Sequence, residues 1–65
     1  MFINSKKMRV LRCKHDLTQE DLSKKVGCTR HTIGLIENSK YNPTLDLCTK
    51  ICKVLGCTLN DLFWN

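Results

Sequence analysis

The sequence predicts an all-α fold of about five short helices, and three observations carry that expectation. Apolar residues recur at helical spacing, and no stretch keeps the two-residue alternation of a half-buried strand. Hydroxyl caps and glycine or proline breakers also divide the chain at short intervals. Of 65 residues, 42% are apolar and 26% charged, a globular composition at a length that allows one core and one domain, residues 1–65. A core this small is only marginally stable, so self-association is expected to help it.

Taken in order, Ser5 can cap a first helix at about residues 6–15, with Met8 and Leu11 inward at a spacing of three. Thr18-Gln19-Glu20-Asp21 has the character of a capping box, a hydroxyl followed by a carboxylate able to reach back to the cap's own N–H. The helix it starts, 19–26, carries Leu22 and Val26 on one face and stops at Gly27, which can turn left-handed. Thr29 caps a third helix, 30–37. The segment Asn38-Ser39-Lys40-Tyr41-Asn42-Pro43 is a loop, ended by proline. Thr44 caps a fourth helix, 45–55, with Leu45, Cys48, Ile51, Cys52 and Leu55 on one stripe before Gly56. Thr58 starts a last short helix, 59–63, through Leu62 and Phe63.

The formal charge is +5, from 11 basic residues against 6 acidic ones. That balance suits a polyanion, nucleic acid or an acidic membrane face, and equally a merely soluble basic surface, so position must decide. No stretch approaches the ~20 apolar residues of a membrane span, and the basic start has no apolar segment behind it. A cytoplasmic protein with no membrane partner is expected. The five cysteines, Cys13, Cys28, Cys48, Cys52 and Cys57, are an odd count without a secretion signal, which argues against a disulfide framework. Cys48 and Cys52 could pair on a metal with Cys28 or Cys57. They fall on the core stripe or beside a helix-stopping glycine instead, so no metal and no cofactor is expected. Cys13 falls toward the outside of the first helix. His15 and His31 pair with no nucleophile pattern, and no phosphate loop or ligand triad is visible, so the chain is not expected to be an enzyme.

Position speaks through the third helix. Only Gly27, Cys28 and the cap Thr29 separate it from the second, too tight a link for antiparallel packing, so the two must cross steeply as a helix-turn-helix. At about 100° per residue, Thr29, Ile33, Ile36 and Glu37 share one side, while His31, Gly34, Leu35 and Asn38 share the other with Arg30 on the flank. The second face has no purpose unless something docks on it, and the major groove of double-stranded DNA admits a helix of this kind. Arg30 could donate to guanine O6 and N7, His31 could meet a purine edge, and Leu35 could pack on a thymine methyl. Gly34 costs roughly 1 kcal/mol of helix propensity, which close approach to DNA would explain. Gln19 stands where free N–H groups at a helix start can hold phosphate, and Asn38 and Lys40 stand at the opposite flank.

These segments, Leu17-Thr18-Gln19-Glu20-Asp21-Leu22, Val26-Gly27-Cys28-Thr29-Arg30-His31-Thr32-Ile33, Ile36-Glu37-Asn38-Ser39-Lys40 and Asn42-Pro43-Thr44-Leu45, resemble the phage-repressor (Cro/cI, or XRE) family. The likeness runs from about Lys6 to Phe63. It implies a lambda-repressor-like five-helix fold, dimeric, that recognises operator DNA and regulates transcription. Its contact positions fall on Gln19, Thr29, Arg30, His31, Gly34, Leu35, Asn38 and Lys40, with Thr29 joining the phosphate set. Arg12 and Glu37 match its structural ion pair. Ser39 departs from the family's usual Gly or Asn, so a left-handed turn there would be strained. Some relatives carry short terminal strands, so Phe2-Ile3 is expected to pair with Phe63-Trp64.

Phe2, Ile3, Leu47, Val54, Leu59, Phe63 and Trp64 exceed what so small a core needs. A two-fold homodimer through Phe2, Leu59, Phe63 and Trp64 is expected, setting two reading helices about 34 Å apart. The expected function is a sequence-specific DNA-binding transcriptional regulator, a repressor on a pseudo-palindromic site. Its alternative is a DNA-binding antitoxin whose apolar surface holds a toxin protein. A protein-interaction module that has lost DNA and a redox or metal sensor are more distant rivals.

Overall fold

A computed structural model describes residues 3–63 and contains five helices in order: α1 (Ser5–Lys14), α2 (Gln19–Val26), α3 (Arg30–Glu37), α4 (Leu45–Leu55) and α5 (Leu59–Phe63). Each start is built by a short polar side chain that accepts from an N–H three residues on. Thr18, Thr29, Thr44 and Thr58 do so at 3.0–3.2 Å. Asp21 and Asp61 close capping boxes by accepting from the N–H of Thr18 and Thr58.

The first helix differs from the expectation. It begins one residue earlier, because Asn4 rather than Ser5 is the cap, its Oδ1 accepting from the Lys7 N–H at 3.1 Å. It also ends at Lys14, with His15 as cap. Ser5 instead turns its hydroxyl across the molecule, donating to the Ile36 carbonyl at 3.0 Å and touching the Ser39 hydroxyl. The first loss for the first helix is therefore a gain for α3, whose final turn Ser5 holds.

The first four helices end alike. An N–H beyond each helix donates back to a carbonyl five residues earlier, from Leu17 to Arg12, Cys28 to Ser23, Lys40 to Leu35 and Cys57 to Cys52. That closure needs one left-handed residue per end. Gly27 and Gly56 supply two (φ 80° and 66°), but Asp16 and Ser39 supply the others at φ 56° and 58°. Asp tolerates this region better than most residues. Ser39 carries the strain expected of it, ~1 kcal/mol or more.

Ile3, Met8, Leu22, Val26, Ile33, Ile36, Cys48, Ile51, Cys52, Leu55 and Leu62 form one buried core. α2 packs on both α3 and α4, α1 on α3, and α5 on α4. Fully burying each large side chain contributes about 1.5–3 kcal/mol, which is how helices this short persist. Leu45 corrects the expected α4 stripe, for it is 68% exposed. It lies roughly 70° from the stripe's centre at 100° per residue, and Pro43, just before the helix, is the buried residue there. Among the described residues there is no strand, although the Asn4 N–H donates to the Leu62 carbonyl at 2.8 Å and ties the chain ends together. The expected pairing partners Phe2 and Trp64 lie outside the described residues. No helix among them is long and apolar enough to cross a membrane.

Candidate nucleic-acid interface

The platform beneath the outer face of α3 is a buried carboxylate. Glu37, 2% exposed, closes the inner face of α3 beside Ile33 and Ile36. Arg12 grips it with two hydrogen bonds, Nε to Oε2 at 2.6 Å and Nη2 to Oε1 at 3.2 Å, while its Nη1 donates to the Leu17 carbonyl at 2.7 Å. This fork geometry suits Arg and not Lys. The bonds to Glu37 raise the Arg12 pKa further, against an opposing contribution from burial. Two more donors join. Arg9 places Nη2 on the Glu37 backbone carbonyl at 3.0 Å, and Gln19 donates its side-chain Nε2–H to Glu37 Oε1 at 3.2 Å. One buried residue of α3 thus anchors side chains from α1 and α2, and no buried side-chain nitrogen or oxygen among the described residues is left without a partner.

On the outer side, Arg30, His31 and Asn38 are exposed, and Gly34 and Leu35 are half-buried. These five and Gln19 line one shallow recess of about 270 Å³. The expected base-reading residues therefore share a single surface, contributed by α3 with one side chain from α2. The three-residue link Gly27–Thr29 achieves this by setting α3 across α2, with Val26 and Ile33 buried behind.

The expected phosphate residues are more varied. Lys40 is exposed, past the end of α3. Thr29 is exposed, but its oxygen already accepts from the Thr32 N–H and lies 3.0 Å from the Thr32 hydroxyl. Asn38 donates its amide to the Gly34 carbonyl at 2.9 Å, satisfying a helix-end acceptor. Gln19 has one of its two N–H groups committed to Glu37. The commitments of Gln19 and Arg9 were not visible in the sequence, since their partners are 18 and 28 residues away. The one local hint was that Arg9 stands three residues before Arg12, on the same side of α1.

Of the residues expected at a dimer contact, Leu59 and Phe63 pack partly buried against the core. Phe2 and Trp64 lie outside the described residues. All five cysteines are free. Cys13 is exposed, Cys48 and Cys52 are buried, and Cys28 and Cys57 are in between. No group of three metal-ligating side chains occurs among the described residues. His15, the cap of α1, reaches across to donate Nε2–H to the Leu55 carbonyl at the end of α4, at 2.9 Å.

Comparison with known proteins places this geometry. The profile of a helix-turn-helix family matches residues 8–62. An uncharacterized HTH-type transcriptional regulator of Methanocaldococcus jannaschii is 49% identical over 57 residues, covering 88% of this chain and 86% of the relative. The regulator YgzD of Bacillus subtilis, also uncharacterized, is 41% identical over 58 residues, covering 89% and 88%. Among solved structures, the restriction-modification controller protein C.AhdI of Aeromonas hydrophila superposes with a TM-score of 0.84 at 29% identity, over 91% of this chain and 89% of that one. The P22 c2 repressor, solved in complex with a synthetic operator, gives 0.83 at 27% identity, over 86% and 85%.

Proposed function

This chain belongs to the helix-turn-helix family of DNA-binding transcriptional regulators, and from that premise we propose that it acts in the cytoplasm as a repressor, binding a pseudo-palindromic operator as a homodimer. The observation that carries the reading is the outward face of α3. Arg30 and His31 stand free at its start, Gly34 and Leu35 follow one turn on, and the opposite face is sealed into the core. A helix so mounted can enter a major groove as a rigid body, because its register is fixed from below. The P22 c2 repressor, similar in fold, binds its operator, which favours the repressor reading.

In the proposed complex, Arg30 donates both hydrogen bonds to a guanine edge, His31 meets a neighbouring purine, and Leu35 covers a thymine methyl. Gly34 lets backbone approach the base pairs. Thr29, Asn38 and Lys40 grip phosphates at the two ends of α3, fixing register without reading sequence. Leu59 and Phe63 supply the dimer contact with Phe2 and Trp64, and the two-fold axis sets half-sites about one helical turn apart.

Selection from random duplexes on the purified protein tests this. A consensus of two inverted half-sites with centres about 10 base pairs apart is the expected product. Arg30→Ala should then flatten one position of each half-site, whereas Lys40→Ala should weaken every duplex alike and reduce the salt slope by about one unit. An unchanged consensus with Arg30→Ala would remove Arg30 as a reader.

A further inference from the structure

We propose, resting on the operator-binding reading, that Gln19 reads a base: its side-chain oxygen is an acceptor for the exocyclic amino group of an adenine or cytosine in the major groove. The orientation of this amide is decided by its partner. Arg12 grips both carboxylate oxygens of Glu37, and a carboxylate so held accepts from its neighbours. The nitrogen of Gln19 must therefore face inward, at 3.2 Å from Glu37 Oε1. The oxygen is left on the other side, in the recess it shares with Arg30, His31, Gly34, Leu35 and Asn38. No donor among the described residues reaches that oxygen.

A phosphate offers only acceptors, so the oxygen itself cannot hold one, and only the second Nε2–H of Gln19 is left for that role. The major groove offers two amino donors, adenine N6 and cytosine N4. Gly34 gives the oxygen its opening. A Cβ at this position would stand 3.8 Å from Gln19 Oε1, over the oxygen but not clashing with it. The helix propensity forgone at Gly34 thus leaves room for a base edge to approach an acceptor held from below. Glu37 acts here as a positioning residue, since it fixes which end of the amide faces out.

The test deletes the amino group from the DNA and the acceptor from the protein. In the selected duplex, each adenine or cytosine of a half-site is replaced in turn by an analogue lacking its amino group. At one position, the loss should weaken the native protein roughly 2- to 12-fold. With Gln19→Met, whose fold is checked by its thermal melt, that same deletion should have no effect while every other preference stands. Gln19→Ala gives the same readout should the longer side chain crowd the seam. A uniform loss over all duplexes, with each amino deletion costing the variant as much as the native protein, would overturn the proposal and return Gln19 to a phosphate. Failure of the native protein to select any duplex would overturn the operator reading itself, a distinguishable result.

Discussion

Replacing Arg12 with Met is the sharpest perturbation of the scaffold. The substitution keeps most of the side-chain volume but removes three hydrogen bonds, two to the Glu37 carboxylate and one to the Leu17 carbonyl. Glu37 would stay buried with the Gln19 amide and Arg9, whose Nε is 3.8 Å away on a side chain 53% exposed, too distant and too solvated to replace the fork. Breaking a buried pair by removing one partner costs about 3–5 kcal/mol. At about 0.05–0.15 kcal/mol per residue, 65 residues carry a total stability of about 3–10 kcal/mol. The variant should therefore lose between about a third and all of its stability. Urea titration followed by helical circular dichroism measures this. With a slope of ~1 kcal/mol per molar urea, the midpoint falls by about 3–5 M or is lost. Arg12→Met combined with Glu37→Met should recover most of that loss, because no unpaired charge then remains. A single variant melting within ~0.5 M of the native protein would refute the argument that the carboxylate depends on Arg12.

Gly34→Ala should raise stability by up to ~1 kcal/mol, or several degrees in Tm by calorimetry, because the added methyl meets nothing closer than 3.8 Å. Gly27→Ala should do the opposite, lowering stability by ~1 kcal/mol from backbone strain alone, since φ is 80° and nothing lies within 4 Å of the new methyl. Hydrogen bonds from Thr18 and Thr58 hold Asp21 and Asp61 below the usual carboxylate range. A folded pKa below the unfolded one means their stabilisation is complete above about pH 4 and is lost as pH falls through the depressed values. Acid titration should show this loss, and Asp21→Asn with Asp61→Asn should flatten it. In the native protein, thiol reagents should modify Cys13 at once and Cys52 only on unfolding. Burial, with the neighbouring Cys57 thiol adding, pushes the Cys52 pKa up to about 12. Labelling followed by mass spectrometry reads the order.

Much of the architecture was legible because local chemistry determines it. Four threonines cap four helices, Gly27 and Gly56 end two, and helical spacing picks out Leu22, Val26, Ile33, Ile36, Ile51 and Leu55 as core. Misreadings arose where two short polar residues compete or where a stripe runs past its neighbours. Asn4 and Ser5 are both good caps, and only the position of the Ile36 carbonyl draws Ser5 away. Leu45 has the residue type of the core but stands in the first turn of α4, 68% exposed. The exposed outer face of α3 followed from periodicity, because the opposite side is aliphatic. What each of its side chains is free to do could not follow, since the hydrogen bonds that restrict Gln19 and Arg9 bridge segments distant in sequence.

The central claim is that the outer face of α3 meets duplex DNA. Amide NMR titration with the selected duplex tests it directly. Shifts should concentrate from Thr29 to Leu35, at the start of α2 and at Lys40, leaving the solvent faces of α1 and α4 unmoved. Shifts centred on those outer faces, with Arg30 and His31 undisturbed, would contradict it.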